Sequence, residues 1–349
     1  MIVGENLRPA DDWWSDYDMR RARFPGHRAR PVSFPTVSIP TPWPAPTMID
    51  LGRERLAVYD YGPPPGGASR GDVVFLHGMA DVARSLEPLT AALTDRYRVL
   101  AFDARGHGRS THPGAYSALH FVADLAALLD ALHLDHPILI GHSLGGHTVA
   151  NYGGLYPARP RALVLLEGLG PPAVHVADSA AARLGHTRNM VEALKATPRH
   201  RPQADIAAAA ARLTATHTRL DSQRALLLAE EGTIPGPDGG RVWRHDERTW
   251  HWIASVDHAA LEERWAAITA PILAVSGAEA WDTWWARPGG PVADRVRLTE
   301  DQFAARLALF PDISHVEVPD AGHMVHFDQP AVMNDLIGRF LRLRMEDEE

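Results

Sequence analysis

The sequence predicts an α/β fold with a mostly parallel central sheet, and three observations predict it. Short apolar runs that end in glycine or a polar group recur along the chain, and amphipathic helical patterns separate several of them. Strands this uniformly apolar need cover on both faces, which parallel sheets receive from crossover helices. Between about 171 and 266 the strand signal fades, and Ala-rich helical stretches replace it. The chain therefore divides into an N-terminal Pro-rich arm (1–46), a first part of the core (47–170), a helical cap inserted between two late strands (171–266), and a second part of the core (267–349).

Taken in order, the arm ends in FPTVSIPTPWPAP (34–46), where prolines every few residues exclude helix interior and central strand alike. Its aromatic residues, Trp13, Trp14, Tyr17, Phe24, Phe34 and Trp43, are more than a free linker carries, so docking on the body is expected. Strand signals follow in RLAVYDYG (55–62), VVFLHG (73–78), RVLAFDARG (98–106), PILIGHS (137–143), ALVLLEG (162–168), PILAVSG (271–277) and SHVEVPDAG (314–322). Apolar residues at three- and four-residue spacing predict a helix within 115–134, and another begins near Pro330. In the cap, 179–196, 203–217 and 221–231 read as helices, followed by the turn cluster IPGPDGGRVWRHD.

Bulk composition narrows the function. A hydrophobic fraction of 45% and a charged fraction of 22% belong to an ordinary globular protein with a sizeable core. The net charge of −8 and the lack of a dense Lys/Arg stripe disfavour nucleic acid or an anionic membrane as partner. With no cysteine there is no disulfide, thiolate metal site or cysteine nucleophile. The first 25 residues lack the apolar core of a signal peptide, and no apolar run approaches ~18 residues, so a cytoplasmic location is expected. Nor do the histidines form an H-E-x-x-H pair, so neither a metal nor a cofactor is expected.

The stretch PILIGHSLGGHTVANYGG (137–154) sets Gly141, Gly145 and Gly146 around Ser143. If a strand runs into a helix here, Ser143 occupies a turn so sharp that neighbouring side chains would collide, and its hydroxyl projects from the carboxyl edge of the sheet. A structural glycine turn would read the same way, so the remaining motifs decide.

VVFLHGM, FDARGHGRS, GHSLGG and PDAGHMVHFDQP occur in that order, and with them the chain resembles the α/β-hydrolase superfamily over roughly 50–168 and 268–342. The resemblance implies a capped serine hydrolase with Ser143 as nucleophile and His323 as base, His326 being the local rival. It also implies an oxyanion hole from the backbone N–H groups of Met79 and Leu144. Asp103, Arg105, His77 and His107 read as loop braces. For the acid, the usual later position holds Ala280 in SGAEAWDTWW, whereas Glu167 ends the earlier strand ALVLLEG. Glu167 is preferred, with Asp282 and Glu279 as alternatives.

Trp243, Trp250, Trp252, Trp265, Trp281, Trp284 and Trp285 gather in the cap and after PILAVSG. His142, Trp243, Trp281 and Trp285 are assigned to a pocket for a bulky apolar or aromatic substrate. A small-molecule ester or lactone is the expected partner, cleaved through an acyl-enzyme. Homo-oligomerisation stays open. Similarity to lactonases that open resorcylic macrolactones such as zearalenone adds a macrolactone to the candidates, and a serine rather than an aspartate argues against the dehalogenase and epoxide hydrolase branches. A ligand-binding receptor on the same fold and a carbon–carbon bond hydrolase are the competing readings.

Overall fold

The computed structural model describes residues 42–170, 202–237, 239–285 and 297–345, with Arg188, Val191, Glu192 and Lys195 between them. Ten strands are seen among the described residues: β1 (Thr47–Asp50), β2 (Arg55–Asp60), β3 (Asp72–Leu76), β4 (Arg98–Phe102), β5 (Ile138–His142), β6 (Ala162–Leu166), β7 (Thr233–Pro235), β8 (Arg241–Trp243), β9 (Ile272–Gly277) and β10 (Ile313–Val318). Eight of them form one sheet in the order β1-β2-β4-β3-β5-β6-β9-β10. From β4 to β10 every pairing is parallel, while β1–β2 and β2–β4 are antiparallel. This is the α/β-hydrolase architecture that the sequence predicts.

Side-chain alternation explains why helices must cover both faces. Val73, Phe75, Ile138 and Ile140 point to one side, where they pack with Leu336, Ile337 and Phe340 of the helix Pro330–Met345. Val74, Leu76 and Leu139 point to the other, against Leu125 and Leu128 of Ala118–Ala131 and Val149 of Leu144–Leu155. Burying each such side chain stabilises the fold by about 1.5–3 kcal/mol, so neither layer is dispensable.

The cap enters between β6 and β9, which are hydrogen-bonded neighbours in the sheet. Its described part contains the helices Ile206–Thr216 and Ser222–Gly232, each opened by an aspartate, Asp205 or Asp221, whose carboxylate accepts a backbone N–H. Contrary to the expectation of helices alone, the turn cluster closes a β7–β8 hairpin, with Thr233 opposite Trp243. Charged pairs seat the cap on the core: Arg224 on Glu87 at 2.8 Å, Glu231 on Arg84 at 3.1 Å and Arg219 on Glu279 at 2.6 Å. Asp246 adds an acceptor, receiving the hydrogen bond of the core Tyr116 hydroxyl at 2.9 Å.

Of the arm, residues 1–41 lie outside the described residues. Trp43 packs on Tyr59 and Tyr61 with ring centroids 4.9 and 5.9 Å away, so this end of the arm is docked. Most of the helix expected at 179–196 also lies outside the described residues. Among the described residues, no helix is long and apolar enough to cross a membrane.

Candidate active site

Ser143 links β5 to the helix Leu144–Leu155 and takes φ +52° and ψ −112°, a left-handed conformation unusual for a residue with a side chain. The glycines make this turn feasible. A Cβ on Gly141 would come within 2.3 Å of the Gly145 backbone, and one on Gly145 would meet the Leu76 carbonyl at 2.3 Å. Any larger residue would push the helix off the sheet.

The Ser143 hydroxyl lies 3.0 Å from His323 Nε2, and His323 Nδ1 lies 3.0 Å from Glu167 Oε2. With Nδ1–H donating to the carboxylate, Nε2 is left with the lone pair that accepts the Ser143 proton. Both partners of this second hydrogen bond are buried, with side-chain exposures of 3% for His323 and 7% for Glu167. Ser143, His323 and Glu167 thus stand in series, although 180 and 156 positions separate the bonded pairs in the chain.

Glu167 is held from two sides. It follows β6 with φ +51°, and its N–H donates to Val275 O at 2.8 Å. Its Oε1 accepts the Gly277 N–H at 2.7 Å, so the end of β9, which carries no acid of its own, orients the acid of β6. The two alternatives are placed elsewhere. Glu279 is paired with Arg219 at 2.6 Å, and Asp282 is exposed. Glu167→Gln keeps the shape but removes the charge opposite an imidazolium, so kcat is expected to fall ~10²-fold or more. Asp282→Asn and Glu279→Gln are expected to cost less than about tenfold, and steady-state kinetics of the three variants checks the assignment.

The two N–H groups expected at an oxyanion hole belong to segments that adjoin Ser143. Leu144 is the first residue of the helix, where N–H groups have no intrahelical acceptor. Met79 follows Gly78, and a Cβ on Gly78 would lie 3.3 Å from Ser143 Cβ, so this loop runs directly past the nucleophile position. Its course is fixed by buried histidines: Ala80 N–H donates to His107 Nε2 at 3.1 Å, and His77 Nδ1 bonds to Gly78 O at 2.7 Å. Asp103 accepts from Ala83 N and Arg109 N, and Arg105 pairs with Asp124, so both residues brace loops. Burial, with His77 nearby, pushes the His107 pKa well below the ordinary imidazole value, which keeps the ring neutral as an acceptor.

A cavity of about 640 Å³ opens over Ser143 and His323. Trp243, Trp250, Trp252 and Trp284 line it together with polar Gln203, Arg212 and Glu247. His142 and Trp243 also line this cavity. Trp281, on the helical turn Trp281–Trp285, lines instead a separate cavity beside Glu167 and Gly168. The side chain of Trp285 lies outside the described residues. Trp284 takes the inner position, stacked on the His323 ring at 5.0 Å and 14°. Trp265 is core, packed on Phe310 at 5.1 Å. The rival His326 is fully buried and does not line the cavity.

A positioned hydroxyl, an imidazole to take its proton, a carboxylate behind it and N–H donors in front are the parts that hydrolytic acyl transfer needs. The sequence profile described as the alpha/beta hydrolase fold matches residues 72–330, and the chain belongs to that family. It is 27% identical over 295 residues to the 2-(acetamidomethylene)succinate hydrolase of Mesorhizobium japonicum, covering 84% of this chain and 94% of that protein. It is also 27% identical over 291 residues to the 3-hydroxybutyrate-oligomer hydrolase of Cupriavidus necator, covering 80% and 90%. Among solved structures, E-2-(acetamidomethylene)succinate hydrolase aligns with a TM-score of 0.63 at 25% identity over 85% of this chain and 98% of that one. The thioesterase domain from the curacin biosynthetic pathway aligns with a TM-score of 0.71 at 22% identity over 84% and 98%, a likeness of fold.

Proposed function

We propose that this α/β hydrolase is a serine hydrolase that cleaves a carboxylic ester or lactone of a bulky, largely apolar small molecule through an acyl-enzyme on Ser143. The observation that carries this is the unbroken series Ser143 Oγ, His323, Glu167, with 3.0 Å at each step. His323 accepts the hydroxyl proton as Ser143 attacks the carbonyl, and Glu167 stabilises the imidazolium. The N–H groups of Met79 and Leu144 receive the oxyanion. His323 then protonates the leaving alcohol, and water repeats the sequence to free the acid.

The four tryptophans support an apolar substrate, while Arg212 and Glu247 provide charged ends to the same cavity. Two similar proteins, by their names, act on an acetamido-substituted succinate and on an oligomer of 3-hydroxybutyrate, so both amide and ester substrates belong in a panel. A receptor without turnover has no need of the complete series, and a carbon–carbon bond hydrolase would prefer vinylogous diketones to esters. The test combines fluorophosphonate labelling with turnover of short p-nitrophenyl esters, lactones, amides and diketones. Labelling with sustained ester or lactone turnover is expected. Labelling without turnover would favour the receptor, and preferential diketone cleavage the carbon–carbon hydrolase.

A further inference from the structure

Beside the proposed acyl-transfer site, three polar side chains from three separate parts of the chain, a loop, a strand end and a helical turn, converge with unmet hydrogen-bonding capacity. Asp81 follows the Met79 loop, His142 ends β5 immediately before Ser143, and His326 lies three residues beyond His323. One donor atom from each falls within a group whose members are all within 4.8 Å of one another. Asp81 Oδ2, His142 Nδ1 and both nitrogens of His326 are buried and have no hydrogen-bond partner among the described residues. The His142 and His326 side chains are close to wholly enclosed, with residue exposures of 2% and 0%.

Leaving so many buried polar atoms without a partner is costly. Their chemistry also fixes what would satisfy them. His142 Nε2 bonds to the His323 carbonyl at 2.9 Å, so that nitrogen carries the proton and Nδ1 presents a lone pair. Asp81 Oδ1 accepts the Val82 N–H at 2.9 Å, which leaves Oδ2 as a second acceptor. Burial holds the His142 and His326 pKa values well below the ordinary imidazole value, so both rings are neutral, as ligation requires. Burial likewise raises the Asp81 carboxyl, although His77 and the Ser85 hydroxyl counter it. The Arg224 guanidinium that bears on His326 is paired with Glu87 at 2.8 Å.

We propose that Asp81, His142 and His326 form a binding site for a divalent first-row transition-metal ion, with Zn²⁺ as the working probe. Two imidazole nitrogens and one carboxylate oxygen are the borderline donor set that such ions prefer over Mg²⁺ or Ca²⁺. Three protein ligands leave a fourth tetrahedral position for water. Donors in a closed tetrahedral site stand about 3.3 Å apart, so the loops need draw together by only about an ångström or so. The ion has an entry path, since Asp81 and His142 both line the cavity over Ser143. Once bound, it ties together the loop after β3, the end of β5 and the helical turn Val325–Asp328, and its first effect is to stabilise them. The site needs neither Ser143 nor hydrolysis, so it stands apart from the proposed function.

The experiment strips the full-length protein with a chelator and dialyses it against micromolar Zn²⁺, with bound metal counted by elemental mass spectrometry. Wild type is compared with Asp81→Asn, His326→Gln, the double variant and His323→Ala. Wild type is expected to hold one more Zn²⁺ per chain than the double variant, and His323→Ala to hold as many as wild type, because the alanine keeps the carbonyl that orients His142. Saturating Zn²⁺ is expected to raise the wild-type melting midpoint by roughly 3 °C or more relative to the double variant. Asp81→Asn, nearly isosteric, carries the comparison alone if His326→Gln does not fold. Equal occupancy in wild type and the Asp81 variants would overturn the site and leave an ordered water as occupant. Loss of the ion in His323→Ala alone would overturn it by placing the metal on the proposed base.

Discussion

Replacing Ser143 by alanine is expected to lower kcat by about 10⁴-fold or more while leaving the fold intact. The hydroxyl is the atom that would form the covalent bond, so no neighbouring group can substitute for it. Nothing in the local structure depends on it: the Ser143 side chain does not cap the helix that follows, and its recorded bond is to His323. The sharp turn is set by Gly141 and Gly145, whose crowded surroundings are unaffected by the change. Stability should therefore move by no more than about 1 kcal/mol, the ordinary worth of one hydrogen bond. Steady-state kinetics on the best ester, with thermal melting alongside, checks both halves. Activity within about tenfold of wild type would remove Ser143 from the chemistry.

The second large effect is on stability against pH. Burial pushes the pKa of His107, His142 and His326 well below the ordinary imidazole value, and neighbouring histidines add to the shift. An unfolded chain exposes these rings at a pKa near ~6.5. As the pH falls below that value, the unfolded state takes up protons that the folded state refuses. The stabilisation is therefore complete above pH ~6.5 and is lost progressively as the pH falls towards the folded values. Lowering the pH from 7 to 5.5 should therefore cost stability through each of the three histidines. Urea unfolding of chelator-treated protein at the two pH values measures this. His326→Gln, which cannot titrate, should reduce the loss, and an unchanged loss in that variant would show that His326 is not held neutral.

The sheet was legible because its parallel strands are buried on both faces, which turns VVFLHG or ALVLLEG into an uninterrupted apolar run. β1 was not, since TMID is only four residues long, follows a run of prolines and owes its pairing to backbone register with β2. Pro235 and the surrounding glycines likewise signalled a turn while concealing the short strands on either side of it. Within the candidate site, Ser143 and His323 could be proposed because their strand-end motifs leave local marks, and Glu167 because the later position holds Ala280; the three stand in hydrogen-bonded series. Trp281 and Trp284 could not be sorted, because which of them faces Ser143 depends on how one helical turn is rotated. Asp81 was not singled out, and His326 only as the rival of His323, because neither shares a spacing with His142 and only the fold brings the three together.

The proposed nucleophile can be tested most directly by trapping the intermediate. Full-length protein is mixed with a p-nitrophenyl ester that it turns over, quenched in acid within milliseconds to seconds, and analysed by intact and peptide mass spectrometry. An acyl group should appear on the peptide containing Ser143, form at least as fast as turnover, accumulate further in Glu167→Gln if deacylation is slowed more than acylation, and be absent from Ser143→Ala. Sustained turnover with Ser143 unmodified at every quench time, together with undiminished turnover in Ser143→Ala, would contradict acyl transfer through this serine.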